Sequence, residues 1–479
     1  MLPNPVSLSN HPAADGATAS DASSAASAAA PVAARRGADP ISLAGLPACV
    51  EDARRAARAE VAPPPDPTIF ATLRARLEKA AAKLPPGFRR AVADPLRRAL
   101  DEMGSRGFFR LLASDPEREG EARLLLDLAQ AVLQHGEGYQ APATAAFEEV
   151  VSDLYDGFLS AEERRGVKPP DHGATAPVVR WGPGEAGPYT WPATATGTFD
   201  VQAAVVSLPA ANAGAGILAW PALAHETAGH DVLAADDGLR DELSAAVEAE
   251  VRKAHLPAAV ASYWAERIDE TAADVLGVLN MGPAAAVGLV GYFRALNASW
   301  RGTPSLRNVG RAEDPHPADI ARAYLAAETV RLLSFDGAGR WADRLVAEAD
   351  RDLGQIRLGN LPVTAAVAKA SAAAVARAIV RTPMRALEGK ALGDIQDWDD
   401  RDEAVVAELR QALRAGDPAA PAGRRHVKGA YAAHAVAAAV YEAASGSSPP
   451  GQVMGRMIAA LDAMHARNPA WADGKTAVA

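Results

Sequence analysis

Two histidines five residues apart, His225 and His230, bracket a glutamate in the stretch HETAGH. On a regular α-helix each residue turns about 100°, so side chains four apart diverge by about 40° and side chains five apart by about 140°. If both imidazoles are to serve one group, the backbone must absorb one extra residue. A single-turn π-bulge does this, and Gly229, just before the second histidine, makes such a distortion cheap. The chain enters the segment through Pro221, a favourable first-turn residue, after the loop-like stretch ANAGAG at 211–216.

Around this segment the pattern is mostly helical. The chain has 479 residues, 49% of them hydrophobic, enough for a sizeable core. A short helix is expected between Ile41 and Glu60, closed by Pro63, Pro64, Pro65 and Pro67. Beyond it Ile69, Leu73, Leu77 and Leu84 recur at helical spacing, as do Leu111, Leu124, Leu128 and Val132. Between Pro169 and Pro221 the composition turns to Gly, Pro, Thr and Trp, and Phe199 to Val205 alternates apolar with polar residues, which predicts a strand whose edge could align a peptide. From Leu239 onward helical periodicity dominates again. The expected fold is α+β and predominantly helical, with a small sheet beside the active helix. Its parts are an Ala/Ser-rich disordered tail (1–40), a helical domain (41–170), a catalytic core (171–290) and a C-terminal helical domain completing a cleft (291–479).

Zinc favours imidazole nitrogen and carboxylate oxygen in a tetrahedral set, and a catalytic site keeps one position open. HETAGH offers two imidazoles, and Glu226 directly after the first is placed to take a proton from water and pass it to a leaving amine. A third ligand is needed. The best candidate is Glu270 in the segment ERIDETAAD (266–274), helical by its apolar stripe Trp264, Ile268, Val275 and Leu279, with Glu266 and Asp269 as rival carboxylates. Glu270 and Asp274 are four apart and share a face, and the small Ala273 and Gly277 allow close approach to the HETAGH helix. Asp274 would then fix a ligand imidazole by accepting its hydrogen bond.

The pair HETAGH and DETAAD resembles the gluzincin metallopeptidases, and the five-residue histidine spacing is similar to that of the H-E-x-x-x-H peptidases of the dipeptidyl peptidase III type. The resemblance covers roughly residues 195–285. It implies a zincin-like core that binds one Zn2+ per chain and hydrolyses peptide or protein substrates, with His225, His230 and Glu270 as ligands, Glu226 as general base and Asp274 behind a ligand histidine. The sequence departs from those peptidases after the second histidine, reading Asp231-Val232-Leu233 in place of a Gly-rich continuation, so their amine-anchoring determinants are not carried over.

A donor for the oxyanion is also required. His316, pinned between Pro315 and Pro317, is the candidate; Tyr431 and His434 form a rival pair, with Arg424, Arg425 and Lys428 near them as carboxylate binders. Asp397, Asp399, Asp400 and Asp402 lack the glycine and glutamate of a calcium loop and read as a helix start. A di-iron bundle is set aside, because the one Glu-x-x-His, Glu313 to His316, is interrupted by Pro315. Lys and Arg number 49 against 59 Asp and Glu, for a net charge of -10, which argues against nucleic acid as partner. Cys49 is the single cysteine and excludes a cysteine-rich zinc site. With neither a secretory signal pattern nor a long apolar run, the expected location is cytoplasmic, without membrane association. The alternative to a peptidase is a non-catalytic metal-binding or interaction protein, in which Glu226 has no task.

Overall fold

The computed structural model describes residues 6–7, 41–159, 164, 166–172, 175–416, 430–468 and 471. The tail expected at 1–40 lies outside these apart from Val6 and Ser7, and Arg424, Arg425 and Lys428 lie outside them altogether. Helices dominate, as the periodicity predicts. The first two are Leu46–Ala57 and Phe70–Ala81, on either side of the proline run. Buried apolar residues form one continuous cluster from Leu43 to Leu461. No described helix is long and apolar enough to cross a membrane.

A four-stranded sheet carries β1 (Val6–Ser7), β2 (Val178–Gly182), β3 (Tyr189–Trp191) and β4 (Val205–Pro209) in the order β1-β3-β4-β2. β4 runs parallel to β2, with Val178 opposite Val205, and antiparallel to β3, with Thr190 opposite Val206. A second, three-stranded sheet is built from β5 (Val309–Gly310), β6 (Ile356–Leu358) and β7 (Leu361–Val363). These segments of two or three residues are too short for their alternation to stand out from the surrounding helical pattern.

The strand expected from Phe199 to Val205 is not there. Gly197–Phe199 is a 3-10 turn, Asp200 adopts a left-handed φ of 56°, and the strand starts only at Val205. The Thr196 hydroxyl explains the difference: it lies 2.9–3.2 Å from the Ala193, Val201 and Ala203 carbonyls and donates its one proton among them, holding 199–204 as a loop. Nor could β4 present an edge, since it has a neighbour on each side. The outer edge of β2 is partly closed by a side chain. Gln134, on the helix Glu121–Glu137, donates to Trp181 O at 3.0 Å and accepts from Trp181 N at 2.7 Å, standing in for a neighbouring strand.

Alternation along β3 then divides the sheet's two tasks. Tyr189 and Trp191 face the helix Glu121–Glu137, and both donate to Asp127 Oδ2 at 2.8 Å. Asp127 also pairs with the buried Arg180 of β2. Thr190, between the two aromatics, faces the other way, toward HETAGH. Asp127→Ala would leave the Arg180 guanidinium buried without its counter-ion and two ring donors without an acceptor. A loss of about 3–5 kcal/mol is expected, read from the denaturant midpoint; a change below 1 kcal/mol would show that Asp127 does not anchor the strand.

Candidate metal centre

The segment Ala224–Asp231 is π-helical along its whole length. Hydrogen bonds of the i→i+5 kind bring residues five apart onto successive turns, as i→i+4 bonds do for residues four apart. The two imidazoles consequently converge. Their ring centroids are 4.7 Å apart and His225 Nε2 faces His230 Nε2 at 3.0 Å.

Gly229 matters here for a reason other than backbone freedom. A Cβ on it would lie 2.6 Å from Ala273 Cα and 2.5 Å from Ala273 Cβ, and a Cβ on Gly277 would stand 3.4 Å from His225 N. The π-helical segment thus lies backbone to backbone on the helix Ile268–Met281, the carboxylate helix. That contact delivers Glu270: Oε2 lies 3.4 Å from His225 Nε2 and Oε1 lies 3.6 Å from His230 Nε2. Of the rival carboxylates, Asp269 pairs with Arg240 and Glu266 lies toward Arg267, its side chain 70% exposed.

These three residues fit a metal ion. Ligands placed tetrahedrally at 2.0–2.1 Å stand roughly 3.3 Å from each other, and the observed separations of 3.0, 3.4 and 3.6 Å bracket that value. Both Glu270 oxygens are buried without a hydrogen bond, and the facing imidazole nitrogens can share at most one proton. A cation satisfies all four atoms at once. Among the described residues this is the only group of three or more such side chains close enough to share an ion, and all three are buried.

Asp274 takes the supporting position expected of it. Its Oδ1 accepts from His225 Nδ1 at 2.9 Å, which leaves Nε2 for the cluster. Arg322, on the helix Asp319–Arg331, holds Asp274 bidentately, Nε and Nη2 each at 2.7 Å, and comes within 3.3 Å of Glu270 Oε2. Burial disfavours charge on Asp274 and Glu270, yet Arg322 and the histidines hold Asp274 below its ordinary range and Glu270 well below. Burial likewise opposes charge on His225, but Asp274 and Glu270 outweigh it and lift the imidazole to about 9. At His230 burial, with His225, His316 and Arg322 adding, outweighs the pull of Glu270 and brings the imidazole down to about 3.

Glu226 is fully buried on the sheet side. Its Oε2 accepts from Thr190 Oγ1 at 2.9 Å while Oε1 has no hydrogen bond, and burial, with Glu270 adding, pushes the carboxyl up to about 8. His316 also arrives at the centre. Its Nε2 is unpartnered, 3.3 Å from Glu270 Oε1, and Asp314 holds its backbone N–H at 2.9 Å and its Nδ1 at 3.0 Å. Tyr431 and His434 are placed elsewhere: His434 Nδ1 accepts from Tyr431 N and Nε2 faces Asp402, so both nitrogens are engaged away from the cluster. Asp399 and Asp402 form the capping box of the helix Asp400–Ala415, as a helix start requires.

Three residues of the centre carry no sequence signal of their own. Arg322 is one arginine among several on the C-terminal helices, Thr190 sits in a three-residue strand, and Asp314 precedes a proline as many turn aspartates do. No protein-family model, curated protein or solved structure matches the chain.

Gly229→Ala would push Ala273 away and spread the ligand set. It is expected to cost about 1–3 kcal/mol and to lower the metal retained after dialysis. Denaturant melts and elemental mass spectrometry check both; a variant as stable as its parent and equally loaded would show that the close approach is not required.

Proposed function

We propose that the chain is a zinc-dependent metallopeptidase of the gluzincin kind, in which Glu226 is the general base. The observation that carries the reading is the convergence of His225, His230 and Glu270 beside a buried carboxyl with one oxygen held and one free. The donor set of two imidazoles and a carboxylate suits zinc. Bound there, zinc supplies a Lewis acid that polarises a carbonyl and makes water more acidic.

The chain's own residues do the rest. Thr190 fixes Glu226 through Oε2, so Oε1 is the atom that takes the proton from water as the water oxygen attacks the scissile carbonyl carbon. The raised carboxyl suits both halves of the exchange, since a base near neutrality accepts that proton and gives it up again to the departing amine nitrogen. His316, oriented by Asp314 at Nδ1, turns its Nε2 to the centre and is the side chain placed to meet the oxyanion. Asp274 and Arg322 hold the tautomer of His225 and the position of Glu270.

A second reading is a closed metal site without catalysis. It is favoured by the burial of every ligand and by His316 Nε2, which stands 3.3 Å from Glu270 and has no other partner.

Glu226→Gln separates the two. In the peptidase, cleavage of a peptide library should fall by about a hundredfold or more, while elemental mass spectrometry still finds about one zinc per chain, lost only in His230→Ala and Glu270→Ala. A zinc-loaded parent that cleaves no peptide, or a Glu226→Gln variant that cleaves as well as its parent, would leave the closed site as the reading.

A further inference from the structure

The carboxylate helix ends at a second cavity. Asn280 lies ten residues beyond Glu270, about 15 Å along the helix axis, and lines a space of about 430 Å³ together with the helix Ala141–Leu159 and the Gln396–Asp402 segment. That volume suits a small organic molecule.

Among the described lining residues several acceptors face the space, and the one arginine there, Arg401, is engaged by Asp399. Asn280 is 5% exposed, and its Nδ2 donates to Leu276 O at 2.8 Å, which fixes the amide so that Oδ1 is the atom turned to the cavity. No hydrogen bond is made to that oxygen or to Gln396 Oε1 among the described residues. Each lies 3.8 Å from where a side chain on Gly157 would begin, so the glycine keeps space open in front of both. This unpartnered amide oxygen on a side chain more than nine-tenths buried points to a ligand independently of the neighbouring acids.

Those acids fall into two groups. Asp399 caps a helix and pairs with Arg401 at 2.7 Å, and Asp402 caps the same helix and faces His434 Nε2 at 2.9 Å. Among the described residues Asp153 and Asp397 form no ion pair, and Arg381 is the cation whose charge acts on Asp397 against its burial. Asp153 Oδ2 accepts the Ala432 N–H, and Asp397 Oδ2 accepts the Ser334 hydroxyl at 2.5 Å, which leaves Asp397 Oδ1 buried with nothing. Burial, with Glu149 adding, pushes Asp153 up to about 8, and burial raises Asp397 as well.

A bare metal ion does not match this wall. Among the described residues the acids of the cavity do not converge to metal-sharing distance as His225, His230 and Glu270 do. Acceptors spread around 430 Å³ match a cation whose charge is carried by several N–H groups. We infer that this cavity binds a small organic cation bearing primary ammonium or guanidinium groups, held by Asp153, Asp397 and the Asn280 and Gln396 amide oxygens. The site is separate from the metal centre and stands whether or not the peptidase reading does.

Isothermal titration calorimetry on the full-length protein tests it, with 1,4-diaminobutane, agmatine, 1,4-butanediol and calcium chloride as separate titrants. The expected result is saturable one-site binding of the diamine or of agmatine and none of the diol or calcium; which of the two binds tells ammonium from guanidinium. Affinity should fall at least about tenfold in Asp153→Asn and in Asp397→Asn, which keep shape and an acceptor oxygen while removing charge. Asp397→Asn keeps an acceptor for the Ser334 hydroxyl, so it remains informative should Asp153→Asn fail to fold by circular dichroism. Saturable calcium binding, no heat with either organic cation at millimolar concentration, or an unchanged affinity in Asp397→Asn would overturn the inference.

Discussion

The π-helical segment and the carboxylate helix meet backbone to backbone at Gly229 and Ala273, and the centre is assembled across that meeting. Residues on two separate helices come within ligand distance only if the helices approach more closely than ordinary side chains permit, since packed helix axes usually stand 8–10 Å apart. Gly229, Ala273 and Gly277 are the positions where bulk would separate them. Once they touch, Glu270 faces His225 and His230, and Asp274, one turn on, lies behind His225. The π-helical turn and the small residues therefore solve different parts of one problem. The turn aims two histidines along one direction, and the small residues bring a third ligand to meet them.

Bringing so many ionisable groups out of water has its own cost, because a buried charge without a partner is strongly unfavourable. Arg322 offsets much of it. Its planar fork neutralises Asp274 through two hydrogen bonds and leans on the Phe293 ring, with the cation centre 4.8 Å from the ring centroid. With Asp274 balanced in this way, Glu270 remains as the carboxylate that faces both histidines. Lysine could not replace this arginine, since one ammonium cannot bind both Asp274 oxygens in a plane and still face Glu270.

Much of the centre was legible because metal chemistry imposes local spacing. His225, Glu226 and His230 lie within one turn, Glu270 and Asp274 within another, and the misfit of a five-residue spacing with a regular helix already pointed to π geometry. His316 stood out because two prolines flank it. What could not be read was long-range. Nothing in the spacing of Arg322 separates a buried guanidinium from a solvated one, and Thr190 carries meaning only once β3 is paired and its faces are known. The alternation at 199–205 misled for a related reason: two-residue periodicity reports a strand only where the backbone is free to extend, and the Thr196 hydroxyl closes this stretch into a loop. Gly229 was placed correctly for an incomplete reason, because its contact with Ala273 belongs to the tertiary structure.

His316 shows how such a centre acquires rigidity from a loop. Arg267, immediately before the carboxylate helix and one turn from Glu270, donates to the carbonyls of Arg311, Ala312 and Asp314 at 2.6–3.1 Å. Arg307 grips the same loop from its other side, bonding Asp314 at 3.2 Å and Asp319 at 2.7 Å. Asp314, held at both ends of this clamp, is the residue that orients the His316 ring. The loop therefore cannot shift without breaking charge-assisted bonds, which are about twice as strong as neutral ones. Because Arg267 also opens the carboxylate helix, any displacement of that helix carries the loop with it. Glu270 and His316 consequently keep their separation as a unit, and a side chain on a loop gains the positional precision usually reserved for residues on helices and strands.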